Sequence, residues 1–240
     1  MTDTGRVWIS TLSILTMLLI LTNSCTKNLS VTVPATVTDI DGNVYHTVQI
    51  GTQVWLVENL KTTRYRHGHP IANVTDSTSW NNLTTGAYCS YNNDASKSAI
   101  YGLLYNWYAV NDTDSIAPKG WHVPAQTEWT TMSTYLGNLE SVGGMLKETG
   151  TTHWQTPNAG ANNMTLFTAL PGGERLSHGS FTGIGTTGAW WSSTGDNTYD
   201  AWGRYINYND STLFRYDDTQ KVGFSIRCVM DYPAAGTIGY

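Results

Sequence analysis

Charge is scarce in this chain. Only 13% of its 240 residues are charged, with 13 Lys and Arg against 18 Asp and Glu and a formal net charge of -5. Such a chain carries no polycationic surface, which excludes nucleic acid as the expected partner. Cysteine is limited to Cys25, Cys89 and Cys228. Long apolar runs are limited to one, Val7 to Leu21, which is short for a membrane-spanning helix. The length suits one domain of good size plus a targeting segment rather than two domains. What the chain does have is 23 glycines, 10 tryptophans and 14 tyrosines. That many aromatics argue against disorder and for a loop-rich fold with aromatic anchors.

The apolar run follows Arg6 and ends at Leu21-Thr22-Asn23-Ser24-Cys25, the layout of an export signal. A cysteine at that place resembles the lipobox of bacterial lipoproteins, in which the cysteine is acylated and becomes the new N-terminus. Residues 1–24 are thus expected to be a lipoprotein signal peptide, Cys25 the lipid attachment site, and residues 25–38 a linker from the membrane. The body is then 39–231, with a tail at 232–240. With Cys25 lipidated, Cys89 and Cys228 remain, and an exported pair is expected to be bridged.

Asp39-Ile40-Asp41-Gly42-Asn43 lacks the glycine and glutamate spacing of a calcium loop and reads as a turn. Val44 to Leu56 alternates around Gly51-Thr52 and predicts a hairpin. Lys61 to Asp94 has no period and predicts a long surface excursion. Ser98 to Val110 has helical spacing. The stretch Gly120-Trp121-His122-Val123-Pro124 leads into a helix marked by Glu128, Trp129, Met132 and Leu136, which Gly137 ends. Gly143 to Lys147 predicts a short helical turn, and Thr151 to Gly185 loops. Strands are predicted at Ala189–Ser193, Ala201–Tyr208 and Val222–Val229.

Several stretches share a resemblance: Gln53-Val54-Trp55 with Glu58-Asn59-Leu60, Tyr105-Asn106-Trp107, Gly120-Trp121-His122-Val123-Pro124 with Glu128-Trp129, Leu146-Lys147-Glu148-Thr149-Gly150, Leu170-Pro171-Gly172-Gly173, Trp190-Trp191-Ser192-Ser193 and Gly223-Phe224-Ser225-Ile226-Arg227-Cys228-Val229. In this order they resemble the Fibrobacter succinogenes major paralogous domain, over essentially Asp39 to Asp231. Ala117 stands where that family often has a cysteine, so the resemblance makes Cys89 the candidate partner of Cys228. Ala125 stands where Ser or Thr usually caps the helix, which removes half of a capping box. The family in turn resembles the C-type lectin-like fold and the formylglycine-generating enzymes. This implies an α+β domain with paired N- and C-terminal strands, two main helices and long loops.

Function does not follow from such a fold. The enzymes of that type need a redox cysteine pair holding copper, and Cys25 and Cys228 leave none here. His122 and Glu128 have no nucleophile or metal-ligand partner at useful spacing. No catalytic residue, cofactor or metal is therefore expected, and Trp121, His122, Glu128, Trp129, Trp190, Trp191 and Arg227 are assigned structural roles. The remaining expectation is a non-enzymatic outer-membrane lipoprotein for binding or adhesion, with a glycan or an envelope protein as partner. Candidate ligand-binding residues are Asp196, Asn197, Asp200 and Trp202, an acidic and amide turn beside a tryptophan. A structural lipoprotein without a small ligand is the alternative.

Overall fold

A computed structural model describes Met1 and residues 33–231. The expected signal peptide, Cys25 and the 232–240 tail lie outside the described residues. Among the described residues no helix is long and apolar enough to cross a membrane.

Strand β1 (Thr36–Thr38) pairs antiparallel with β2 (Val44–Ile50) across a turn made by Asp39. Its Oδ1 accepts from the amides of Asp41 and Asn43, each at 2.9 Å, and Gly42 takes a φ of +86°. Asp39 Oδ2 also accepts from the Tyr45 hydroxyl at 2.7 Å, and Asp41 accepts from Arg64 Nε. Both acids therefore hold local structure together. The predicted hairpin continues into β3 (Gln53–Leu56), which is buried on both faces. Its alternation sends Val54 and Leu56 to one apolar cluster and Trp55 to another.

The 61–94 segment departs from the expected surface excursion. It contains β4 (Ala72–Asn73), α1 (Ser77–Asn81) and β5 (Ala87–Cys89). Trp80 is fully buried and donates through Nε1 to the Lys221 carbonyl at 2.8 Å. One indole thus anchors a stretch whose polar sequence has no period. The helix expected over Ser98–Val110 is also broken, into α2 (Ala95–Tyr101), β6 (Leu104–Tyr105) and α3 (Trp107–Val110). At Gly102, with φ +79°, a Cβ would come within 2.7 Å of Asn59 Cβ. The chain is pressed there against residues 59–60, and the Leu103 amide donates to the Leu60 carbonyl at 2.9 Å. Pairing with distant backbone has overridden the local helical spacing.

Next come β7 (Trp121–His122), α4 (Gln126–Leu136) and α5 (Leu139–Leu146). Glu128 Oε2 accepts from the Ala125 amide at 2.8 Å, which is the half of the capping box that survives. The missing hydroxyl is replaced from afar, because Thr194 Oγ1 accepts from the Gln126 amide at 3.0 Å. Gly137, at φ +104°, ends α4.

The remaining strands are β8 (Gly172–Arg175), β9 (Phe181–Ile184), β10 (Thr187–Gly195), β11 (Asp200–Asn207), β12 (Phe214–Thr219) and β13 (Val229–Met230). They form a β8–β9 pair and a β10-β11-β12 sheet, while the main sheet runs β1-β2-β3-β13-β7. The predicted Val222–Val229 strand is instead extended chain in which Gly223, Phe224 and Ser225 bridge Arg175, Tyr105 and Trp190 in turn, before β13 begins. Pairing between the two ends of the domain is present, but through β3 rather than the first strand: Val229 sits opposite Trp55. The architecture is α+β, strand-rich, with short helices and long loops.

The bridge between Cys89 and Cys228 is not formed. Both thiols are free and buried. They belong to separate clusters, Cys89 beside Trp80 and Leu104, and Cys228 in the main core with Ile226 and Phe224. Three buried cations stitch the loops instead. Arg227 Nη1 donates to the Phe167 carbonyl at 2.5 Å, with the guanidinium 4.2 Å from that ring. Arg175 donates to the carbonyls of Val74, Thr75 and Gly179 over the Trp80 ring. Lys147 donates to the carbonyls of Asn207 and Asp210, and burial pushes its pKa down to about 8. Each cation thus ties loop backbone to an aromatic face.

Candidate functional site

The structure gathers the family-motif residues in the core. Trp129 lies against Trp55 with ring centroids 4.8 Å apart, and both are fully buried. Trp190 Nε1 donates to Asn59 Oδ1, and Trp191 Nε1 to the Tyr105 carbonyl, both at 2.8 Å. Arg227 reaches the same Asn59 oxygen. Trp121 is buried in the main cluster.

His122 has two acidic partners, which hold it by hydrogen bonds. Its Nε2 is 2.7 Å from Glu128 Oε1 and its Nδ1 2.5 Å from Asp231 Oδ1. The Glu128 carboxylate foremost, with Asp231 and against burial, holds the imidazole above its usual pKa. Burial works to raise Glu128, but His122 and the Ala125 amide hold it below the usual carboxylate range. Asp231 is 109 residues away, so no local spacing reveals it. The clasp joins β7, the start of α4 and the chain after β13. No nucleophile takes part in it, and among the described residues no group of three His, Cys, Asp or Glu is placed to hold a metal.

Asp196, Asn197 and Asp200 form the β10–β11 turn. Asn197 Nδ2 donates to Asp200 Oδ2 at 2.9 Å and to Asp196 Oδ2 at 3.2 Å, while its Oδ1 accepts from the amides of Tyr199 and Asp200. The side chains are thus engaged with one another. Trp202 stacks on Arg215, 4.5 Å from the guanidinium carbon to the ring centre.

A concavity lined by exposed aromatic rings lies further along the same sheet. A groove of about 500 Å³ is lined by Glu174, Thr187, Tyr205, Asn207, Phe214, Tyr216 and Asp218, among others. Its floor follows from register: Tyr205 lies opposite Phe214, Gly203 opposite Tyr216 and Ala201 opposite Asp218, so one face of β11 and one of β12 build it together. The Tyr205 hydroxyl donates to Glu174 Oε2 at 2.5 Å, which ties β8 to the floor. Tyr205 meets Tyr216 edge-on, centroids 5.6 Å apart, and Phe214 and Tyr216 are 38% and 51% exposed. Burial raises the Glu174 carboxyl, opposed by the Tyr205 hydroxyl; burial likewise raises Asp218. The sequence signal for this groove was Phe214, Tyr216 and Asp218 at every second position, a strand face that goes unnoticed without its partner Tyr205.

The arrangement presents apolar ring faces beside carboxyl, amide and hydroxyl groups at the edge of a rigid sheet. Comparison with known proteins finds no match among curated proteins and none among solved structures. It does find a family: residues 48–230 match the Fibrobacter succinogenes major domain, and the match begins in β2 and ends with β13, so that it spans the core and the groove alike. The chain belongs to the Fibrobacter succinogenes major domain family.

Proposed function

We propose that this protein is a non-enzymatic binding module of the cell envelope, held to the outer membrane by lipid on Cys25, and that it takes carbohydrate in the Tyr205–Tyr216 groove. The observation that carries this is the pair Phe214 and Tyr216, aromatic and exposed at alternate positions of edge strand β12. Their Cα atoms are about 7 Å apart along the strand, a spacing at which successive ring faces can stack on a saccharide while carboxyl and amide groups meet its hydroxyls. A C-type lectin-like arrangement belongs to the same proposal. Its support is the pairing of β13 with the opening hairpin and the long connections between short elements.

Glu174 and Asp218 invite a hydrolytic reading, but a glycosidase needs its two carboxyls pushed apart, one protonated and one ionised. Here burial pushes both the same way.

The test is a polysaccharide panel against the full chain and a Phe214→Ala/Tyr216→Ala double variant. Loss of two stacking contacts should weaken binding by about tenfold or more with the melting temperature nearly unchanged. Undiminished binding by the double variant, or release of reducing sugar by the parent, defeats the proposal. For the anchor, mass spectrometry should find acylated Cys25, and Cys25→Ser should free the protein from membranes. A membrane-bound Cys25→Ser protein would exclude that anchor.

A further inference from the structure

The opposite face of the β11–β12 pair carries a different chemistry. Alternation that sends Tyr205 and Tyr216 to the groove sends Trp202, Arg204 and Arg215 the other way, with Arg204 directly opposite Arg215 in register. Between this face and α4 lies a cleft of about 570 Å³, lined by Thr130, Ser133, Thr134, Arg204, Leu213 and Arg215, among others.

Arg204 is anomalous there. It is only 5% exposed, yet its Nε has no hydrogen-bond acceptor, and its one contact is a long 3.5 Å approach of Nη2 to Thr130 Oγ1. That hydroxyl already donates to the Gln126 carbonyl at 2.8 Å. The contrast with the other buried cations is sharp, since Arg175, Arg227 and Lys147 all place their donors on backbone carbonyls. Among the described residues neither Arg204 nor Arg215 is in an ion pair. Asp217, on the same strand face opposite Trp202, pairs with neither. Two guanidiniums side by side without a carboxylate raise each other's electrostatic cost, and a buried one with unused N–H groups adds the cost of desolvation. Burial, and then Arg215, push Arg204 down to about 10, which leaves it cationic at neutral pH.

We infer that this cleft is an anion site whose ligand is a phosphate group, held between Arg204 and Arg215 with the Thr134 hydroxyl at its rim. A phosphate monoester carries close to two negative charges at neutral pH and offers several acceptor oxygens, which matches two forked donors better than a single carboxylate does. Trp202, stacked on Arg215, fixes that guanidinium at the mouth of the cleft. The cleft lies on the other face of the sheet from the proposed saccharide groove, although Arg215, on edge strand β12, lines both; buried Arg204 lines the cleft alone, so Arg204→Met separates the two sites.

The experiment titrates the full chain with inorganic phosphate, glucose 6-phosphate and glucose, against sodium chloride at matched ionic strength, by calorimetry and thermal melting. Phosphate should bind and raise the melting temperature beyond the chloride control, and Arg215→Gln should weaken binding by about tenfold or more. Arg204→Met, which keeps the apolar stem, should do the same. Should that variant fail to fold, exposed Arg215 still decides, because Arg215→Gln touches no core contact. Tighter binding of glucose 6-phosphate than of the free ion would identify a sugar ester as the source, and equal binding the free ion; both support the site. Stabilisation no greater than that from chloride, or phosphate binding unchanged in Arg215→Gln, overturns it.

Discussion

Asn59 Oδ1 accepts from the Arg227 guanidinium twice, from Nε at 3.1 Å and from Nη2 at 2.8 Å. The same oxygen accepts from Trp190 Nε1, while Asn59 Nδ2 donates to the Tyr101 carbonyl at 2.8 Å. One buried amide therefore joins the segment after β3, the β10 strand and the closing chain. Removing it takes two hydrogen bonds from a fully buried cation and leaves an indole N–H without its acceptor. Asn59→Ala should cost about 3–5 kcal/mol, the range for breaking a buried charged contact from one side. Arg227→Met removes the charge together with its need for partners and should cost less. Urea unfolding of the two variants gives the order; a milder Asn59→Ala would show that Arg227 is held mainly by the carbonyls of Phe167 and Leu56.

The His122 clasp predicts a pH dependence with a definite sign. The folded pKa of His122 lies above 6.5, so its contribution is complete below pH 6.5 and fades as pH rises through the folded value. Glu128 lies below 4.5 when folded, so its contribution is present above pH 4.5 and lost as pH falls through that lower value. The clasp should therefore add most between those limits. Because His122 is 40% exposed at its side chain, the gain is about 1 kcal/mol or less. His122→Gln should flatten the decline of stability above pH 6.5 and leave groove binding intact. An unchanged pH profile in the variant would mean that the clasp does not couple to folding.

Much of the scaffold was legible because its signals are local. Gly51-Thr52 between alternating runs marks the hairpin, and Pro124, Glu128, Trp129 and Gly137 mark α4 from start to stop. What stayed hidden depends on pairing across the chain. Ser98–Val110 has helical spacing, but Gly102 is pressed against Asn59 and Tyr105 pairs with Phe224. Thr194 completes a cap that Ala125 cannot, and Asp231 finds His122. The groove was missed for the same reason: Phe214, Tyr216 and Asp218 become a surface only when β12 lies beside β11 and Tyr205 meets Glu174. The Asp196–Asp200 turn drew attention by composition, yet its polar groups satisfy one another.

Two unbridged thiols make a chemical prediction. Burial pushes Cys89 up to about 11 and Cys228 above the ordinary thiol range, so neither offers thiolate at neutral pH. In a Cys25→Ser chain, a thiol reagent should titrate none in the native state and two in urea without reductant. Absence of both thiols in urea would mean that the bridge forms after all and that the two clusters lie closer than in this structure.

The last prediction separates two tryptophans that look alike in composition. Trp129 and Trp55 pack at 4.8 Å, and neither Nε1 has a hydrogen-bond partner. At Trp129 the indole is held by packing alone, with Phe167 edge-on to both indoles, 6.2 Å from Trp129 and 6.0 Å from Trp55. Trp129→Ala should therefore cost about 3–5 kcal/mol through the lost ring and the cavity, a large part of the stability of an ordinary domain. Trp129→Phe also opens a cavity, but it removes a buried N–H that has no acceptor, which offsets part of the loss. Trp190→Phe opens a comparable cavity and breaks a real bond to Asn59 Oδ1. It should be the more destabilising of the two phenylalanine variants by about 1 kcal/mol. Urea denaturation of the three variants checks this. If Trp129→Phe proves as costly as Trp190→Phe, the Trp129 indole has a polar partner; if Trp129→Ala melts like the parent, the Trp121–Trp129 stretch is not the packing anchor of the fold.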